Sequence, residues 1–93
     1  MKLDVVARSG VLFSGEVSSV VVPAYNGEMG ILPGREPIMA VVHKGTVRFV
    51  RSDGVAQSIN IGAGFVTVDE DHISVVVENY DDETATEIAG IQS

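Results

Sequence analysis

A chain of 93 residues with no cysteine supports one small core and rules out disulfide staples and thiolate chemistry. Its net charge of −7 is unevenly spread: Lys2, Arg8, Arg35, Lys44, Arg48 and Arg51 all precede Ser52, and residues 69–93 carry acids but no base. That excludes the clustered cations a nucleic-acid surface needs, and the absence of Trp argues against a base-stacking platform.

The hydrophobic period along the chain is two. Leu3, Val5 and Ala7 fall on one face of a first strand, with Asp4, Val6 and Arg8 on the other. Residues 12–22 read as a long β-branched strand in which Gly15 is a candidate bulge and which Pro23 should close. Residues 38–42 form a further strand. Residues 46–51 form another, with Val47 and Phe49 inward and Arg48 outward. Ser52-Asp53-Gly54 is a hairpin turn leading into the alternating residues 55–61. Gly62-Ala63-Gly64 makes a corner, residues 65–68 a strand, Asp69-Glu70-Asp71 a polar turn, and residues 72–78 the last strand. Phe13, Phe49 and Phe65 are expected in the core. Short strands spaced by turns predict an all-β sandwich over residues 1–80. Residues 81–93 form an acidic tail, disordered or weakly helical, with Asp82 or Thr84 as a helix cap. No apolar run approaches the ~20 residues of a membrane span, and Asp4 stands where a secretory signal would be apolar. The expectation is a soluble, cytoplasmic chain.

Chemistry is hard to find. Gly62-Ala63-Gly64 lacks the Lys-Ser/Thr of a phosphate loop and no helix follows it, so it reads as a corner. Asp69-Glu70-Asp71-His72 lacks the glycine and distant glutamate of a calcium loop, so it reads as a solvated turn. His43 and His72 are the only histidines, too few for a zinc site or dyad without help from distant loops. The reading is non-catalytic, with no metal and no cofactor.

Apolar supply is the stronger signal. Val20-Val21-Val22, Ile38-Met39-Ala40-Val41-Val42 and Val75-Val76-Val77 place apolar groups on both faces of a strand. Either another layer covers the second face, or a partner does. Segment 27–37 stands apart as well. Gly27, Gly30 and Gly34 permit unusual backbone angles, and Pro33 and Pro37 stiffen what lies between. It reads as a stiff loop displaying Glu28, Met29, Arg35 and Glu36, which would lose little entropy on docking.

This segment, Gly-Glu-Met-Gly-Ile-Leu-Pro-Gly-Arg-Glu-Pro-Ile, resembles the Gly-Glu-x-Gly-Ile-Leu-Pro-Gly-His-x-Pro-Leu signature of the epsilon subunit of F-type ATP synthase. Leu3-Asp4-Val5-Val6 resembles that family's first strand. Leu12-Phe13-Ser14-Gly15-Glu16-Val17 resembles its Leu-Phe-Ser-Gly-x-Val, and Gly62-Ala63-Gly64-Phe65-Val66-Thr67-Val68 its Gly-Gly-Phe-x-x-Val. The four motifs follow in the family's order. The resemblance implies a β-sandwich of about ten strands at the foot of a rotor, packed on the gamma subunit and seated on the polar loops of the c-ring. It implies indirect association with the F1 alpha/beta assembly. It also implies a peripheral position on the cytoplasmic side of a bacterial plasma membrane. Such a subunit couples proton or sodium flow to ATP synthesis without chemistry of its own. Glu28, Met29, Arg35 and Glu36 would then face the c-ring, and Ile38, Met39, Ala40, Val41 and Val42 the gamma subunit. Arg35 stands where the family has histidine, which makes that charge permanent. Family members commonly continue into a C-terminal helical hairpin. Residues 81–93 are too few for one and lack its Asp-x-x-Arg motif, so the expectation is a short form, natural or truncated. A free-standing β-sandwich interaction module is the alternative reading.

Overall fold

Alternation of β-branched and polar residues yields eight strands in the computed structural model of the chain, which describes residues 1–25 and 27–79. They are β1 (Lys2–Ala7), β2 (Gly10–Ala24), β3 (Gly27–Ile31), β4 (Ile38–Val42), β5 (Gly45–Arg51), β6 (Ala56–Ile61), β7 (Gly64–Asp69) and β8 (His72–Val77). The expected tail lies outside the described residues.

The hydrogen-bonded order is β1-β8-β7-β4-β2-β5-β6, with β2 also pairing β1 and β3. The 15-residue β2 makes this possible. Its first half pairs with β1, from Lys2↔Glu16 to Ala7↔Gly10. Its second half pairs with β5 through Val17↔Arg51 to Val21↔Arg48, and with β3 through Val20↔Ile31 to Ala24↔Gly27. One layer is therefore β2 (first half), β1, β8, β7 and β4. The other is β3, β2 (second half), β5 and β6. The pair β1–β8 runs parallel and every other pairing is antiparallel.

Between the layers lie Leu3 and Val5 of β1, Val20 and Val22 of β2, Ile31 of β3, and Val42 of β4. Val47 and Phe49 of β5, Ile61 of β6, Val66 and Val68 of β7, and Ile73 and Val75 of β8 join them, and Ala7, Val17 and Val77 are buried in the same cluster. No polar or charged residue is buried among the described residues. Each fully buried Val, Leu or Ile contributes about 1.5–3 kcal/mol relative to exposure. The half-buried Phe13 ring packs at 4.4 Å from that of Phe49, tilted by 45°, against the core.

Several expectations change. The bulges in β2 fall at Leu12 and Ser18, not at Gly15, because Val5↔Phe13 is followed by Val6↔Val11 and Val17↔Arg51 by Ser19↔Val50. Gly15 instead makes room for an aromatic ring: a Cβ there would sit 3.1 Å from Cζ of Phe13. Pro23 does not close its strand. Its carbonyl accepts from the His43 N–H at 2.7 Å, so its missing N–H also faces away from β3 and costs no β2–β3 bond. Segment 27–37 is not one loop, since residues 27–31 form β3. Strand β6 begins one residue later than expected, at Ala56. Phe65 is 45% exposed rather than in the core, because Val66 and Val68 take the inward positions of β7.

The Gly62-Ala63-Gly64 corner has a steric cause. A Cβ on Gly64 would fall 2.0 Å from the Val76 carbonyl oxygen, and one on Gly62 would fall 2.8 Å from that of Asn79. The main chains of β7 and β8 meet here more closely than a side chain permits. Gly64→Ala should therefore destabilise the fold by about 3 kcal/mol or more, read as a lowered urea midpoint. A drop under half that would contradict the close approach.

On the outer face of the first layer, the Ser14 hydroxyl donates to Asp4 Oδ1 at 2.5 Å and His72 Nε2 lies 2.6 Å from Asp4 Oδ2. The hydrogen bond from Ser14, then that with His72, holds the Asp4 carboxyl below its ordinary value. The folded state thus binds this proton less readily than the unfolded chain. The resulting stability is present above about pH 4 and is lost as pH falls through the lower folded value. Asp4→Asn should flatten the acid limb: between pH 5 and pH 2 the wild type should lose more of its urea midpoint than the variant. Parallel curves would show that Asp4 contributes nothing to acid sensitivity.

Candidate functional site

Register across the first layer builds a surface that no single strand carries. Val41 pairs with Phe65, Phe65 with Val76, Val76 with Val6, and Val6 with Val11. Paired residues share a face, and in β1, β7 and β8 buried neighbours such as Val5, Val66 and Val75 point into the core. The result is an apolar row across β4, β7, β8, β1 and β2. Val41 (56%), Phe65 (45%), Val76 (43%) and Val11 (65%) are exposed, and Val6 is half-buried. The next row along the strands is Met39, Thr67, Ser74, Asp4 and Ser14, and the one after it is Asp69, His72, Lys2 and Glu16. At the other end the Arg8 guanidinium meets the Glu78 carboxylate at 3.5 Å. The face grades from apolar to charged within a few residues. A contiguous exposed apolar row bordered by polar groups is the pattern of a protein-binding surface.

The expected gamma-facing residues divide accordingly. Met39 and Val41 stand outward, Ile38 and Ala40 are half-buried against the core, and Val42 is fully buried. Of the rest of the row, Val76 belongs to the doubly apolar run 75–77, Phe65 was expected inward and stands outward, and no binding role was expected of Val6 and Val11.

The expected c-ring residues do not share one loop. Glu28 lies on β3 opposite Pro23, and its carboxylate pairs with Arg48 at 2.7 Å across the second layer. Met29 is half-buried and packs on the core. Arg35 and Glu36 stay in the turn between β3 and β4, where both are exposed and Arg35 makes no ion pair with a described residue. That turn encloses a hollow of about 420 Å³ lined by Leu32, Pro33, Gly34, Arg35, Glu36 and Ile38, with Gly30 at its back. Leu32 is 63% exposed at its rim. A second shallow hollow of about 470 Å³ lies on the outer face of the second layer, among small residues such as Ser19, Ala56 and Ser58.

The chemistry of these surfaces is that of contact. Ser14, Asp4 and His72 are linked, but the hydroxyl donates to the carboxylate and not to the imidazole, so the order of a Ser-His-Asp relay is not formed. His43 stacks on Tyr25 at 5.8 Å. Among the described residues, no group of three or more His, Cys, Asp or Glu could hold a metal ion. No described helix is long and apolar enough to cross a membrane.

Comparison with known proteins agrees with this geometry. The family profile described as ATP synthase, Delta/Epsilon chain, beta-sandwich domain matches residues 1–81. An ATP synthase epsilon chain of Bordetella petrii is 35% identical over 78 residues, covering 84% of this chain and 55% of the relative. One from Wolinella succinogenes is 33% identical over 78 residues, covering 84% of this chain and 60% of the relative. The chain thus spans a little over half the length of these relatives. A chain in the Euglena gracilis mitochondrial ATP synthase structure comprising OSCP, F1 and c-ring superposes with a TM-score of 0.74. It is 21% identical, and the match covers 81% of this chain and 48% of that one. A chain of the Tetrahymena thermophila mitochondrial ATP synthase central stalk and c-ring gives a TM-score of 0.69 at 14% identity, covering 85% of this chain and 63% of that one. At these identities the structural likeness speaks to the fold. The outward apolar row, the β-sandwich that presents it and the profile match over residues 1–81 lead to one conclusion: this chain belongs to the ATP synthase delta/epsilon chain β-sandwich domain family.

Proposed function

We propose that this chain is a non-catalytic rotor component of an ATP synthase, joining the gamma subunit to the c-ring so that ion flow is coupled to ATP synthesis. The coupling ion, proton or sodium, acts elsewhere in the complex. The chain sits peripherally on the cytoplasmic side of a bacterial plasma membrane. The observation that carries this reading is the apolar row Val41–Phe65–Val76–Val6–Val11, joined to membership of the family.

The two contacts differ in kind. The apolar row offers the gamma subunit a surface whose burial is favourable in proportion to its area. Residues 32–37 offer the c-ring polar loops an exposed cation and anion, Arg35 and Glu36, beside the hollow at Leu32. Exposed ion pairs are weak and salt-screened. Torque transfer therefore relies on the gamma contact for strength and on the ring contact for register.

Reconstitution tests both halves. Phe65→Asp or Val41→Asp should weaken binding to purified gamma subunit by about a hundredfold and leave the isolated fold intact, because both side chains already face water. Arg35→Glu should weaken c-ring binding by about three- to tenfold, more at low salt than at high, with gamma binding unchanged. If the wild type binds neither partner at micromolar concentration, the chain is a free-standing interaction module instead.

A further inference from the structure

We infer that Asp71 is a positioning residue for the 32–37 loop: the β7–β8 turn holds that loop in its docking shape. The inference rests on the reading that this loop meets the c-ring.

The β7–β8 hairpin closes from Asp69 to His72 through two residues, Glu70 and Asp71. Both have positive φ, 50° and 61°. A two-residue hairpin of this hand favours Asn-Gly or Asp-Gly, because left-handed backbone burdens side chains with a branch at Cα. Asp tolerates it better than most residues and Glu less well. The chain therefore holds a strained pair where glycine would relax it. Strain kept in place signals that a side chain there is needed.

Asp71 has that need. Its Oδ1 accepts the Gly34 N–H at 2.8 Å, 37 residues away in sequence. Its carbonyl accepts the Lys2 N–H at 2.8 Å, which anchors the turn to β1. Among the described residues, no other hydrogen bond ties residues 33–36 to the rest of the fold. Gly34 is itself left-handed at φ 84°, so the bond lands on the one loop residue whose conformation is least self-determined. Pro33 stiffens φ on one side. Asp71 pins the other, and Arg35 and Glu36 follow directly. A loop held before binding loses less entropy on docking.

Three variants of the full chain separate the outcomes. Asp71→Gly suits the left-handed backbone, removes the acceptor and should fold. Asp71→Asn keeps an acceptor oxygen while removing the same charge. Glu70→Gly relieves strain without touching the bond. Amide hydrogen exchange at Gly34 should accelerate about three- to tenfold in Asp71→Gly, the worth of one exposed hydrogen bond, and stay near wild type in the other two. Binding to purified c-ring in detergent should fall by about the same factor in Asp71→Gly alone, with gamma affinity unchanged in all three. Unchanged Gly34 exchange in Asp71→Gly overturns the clamp. Accelerated exchange with unchanged ring affinity overturns its role in docking. Equal ring weakening in Asp71→Asn and Asp71→Gly would assign the effect to charge and also overturn it. If the wild type does not bind the ring, the docking role falls with the proposed function, and Gly34 exchange still decides the clamp.

Discussion

The fold depends on β2 serving two layers at once. Fifteen residues at about 3.3 Å each cross the whole molecule. A strand that long cannot stay flat against one partner, because strands twist. The extra residues at Leu12 and Ser18 absorb the change of direction, and the second of them falls just after Val17, where pairing with β5 begins. Once β2 is shared, β1 and β3 are fixed on opposite layers; β8, β7 and β4 add outward from β1, and β5 and β6 add from the other side of β2. Covering both inner faces then requires only the alternation already present in each strand. With no polar or charged side chain buried among the described residues, their core asks for no internal side-chain hydrogen-bond network, and its specificity comes from pairing register and packing.

The same geometry sorts the surface. Each strand of the first layer gives its inner residues to the core and its outer residues to a shared face. Because the register aligns Val41, Phe65, Val76, Val6 and Val11, single exposed side chains that would each be unremarkable become one surface. At the charged end of the strands lie the β7–β8 turn and, just before β4, the 32–37 loop, brought side by side by the Ile38↔Val68 pairing. An apolar face and a polar loop are then held at fixed separation by a rigid sandwich. Such an arrangement suits the proposed rotor role.

Much of this was legible in the residues. Period-two alternation places Leu3, Val5 and Ala7 inside and gives β4, β5 and β8 nearly as observed. The double apolarity of residues 38–42 and 75–77 correctly signals a second, uncovered face. Other features were misread for reasons that are local in sequence and distant in space. Gly15 looks like a bulge, but its lack of a side chain serves the Phe13 ring. Glu28 looks like a loop residue, but β2 offers residues 27–31 a pairing partner that their glycines alone do not announce. Asp71 looks like an ordinary turn acid, since nothing in its neighbours points to Gly34.

The sequence by itself determined the class of fold, the absence of disulfide chemistry, the faces of β1 and β5 and the family signature, because these follow from composition and from neighbours within a few residues. Tertiary structure alone decided which exposed apolar side chains form one row, why Gly64 can carry no side chain, and what holds the 32–37 loop. Each of these is a distance between strands set by pairing register. Register is a property of two segments together, so neither segment contains it.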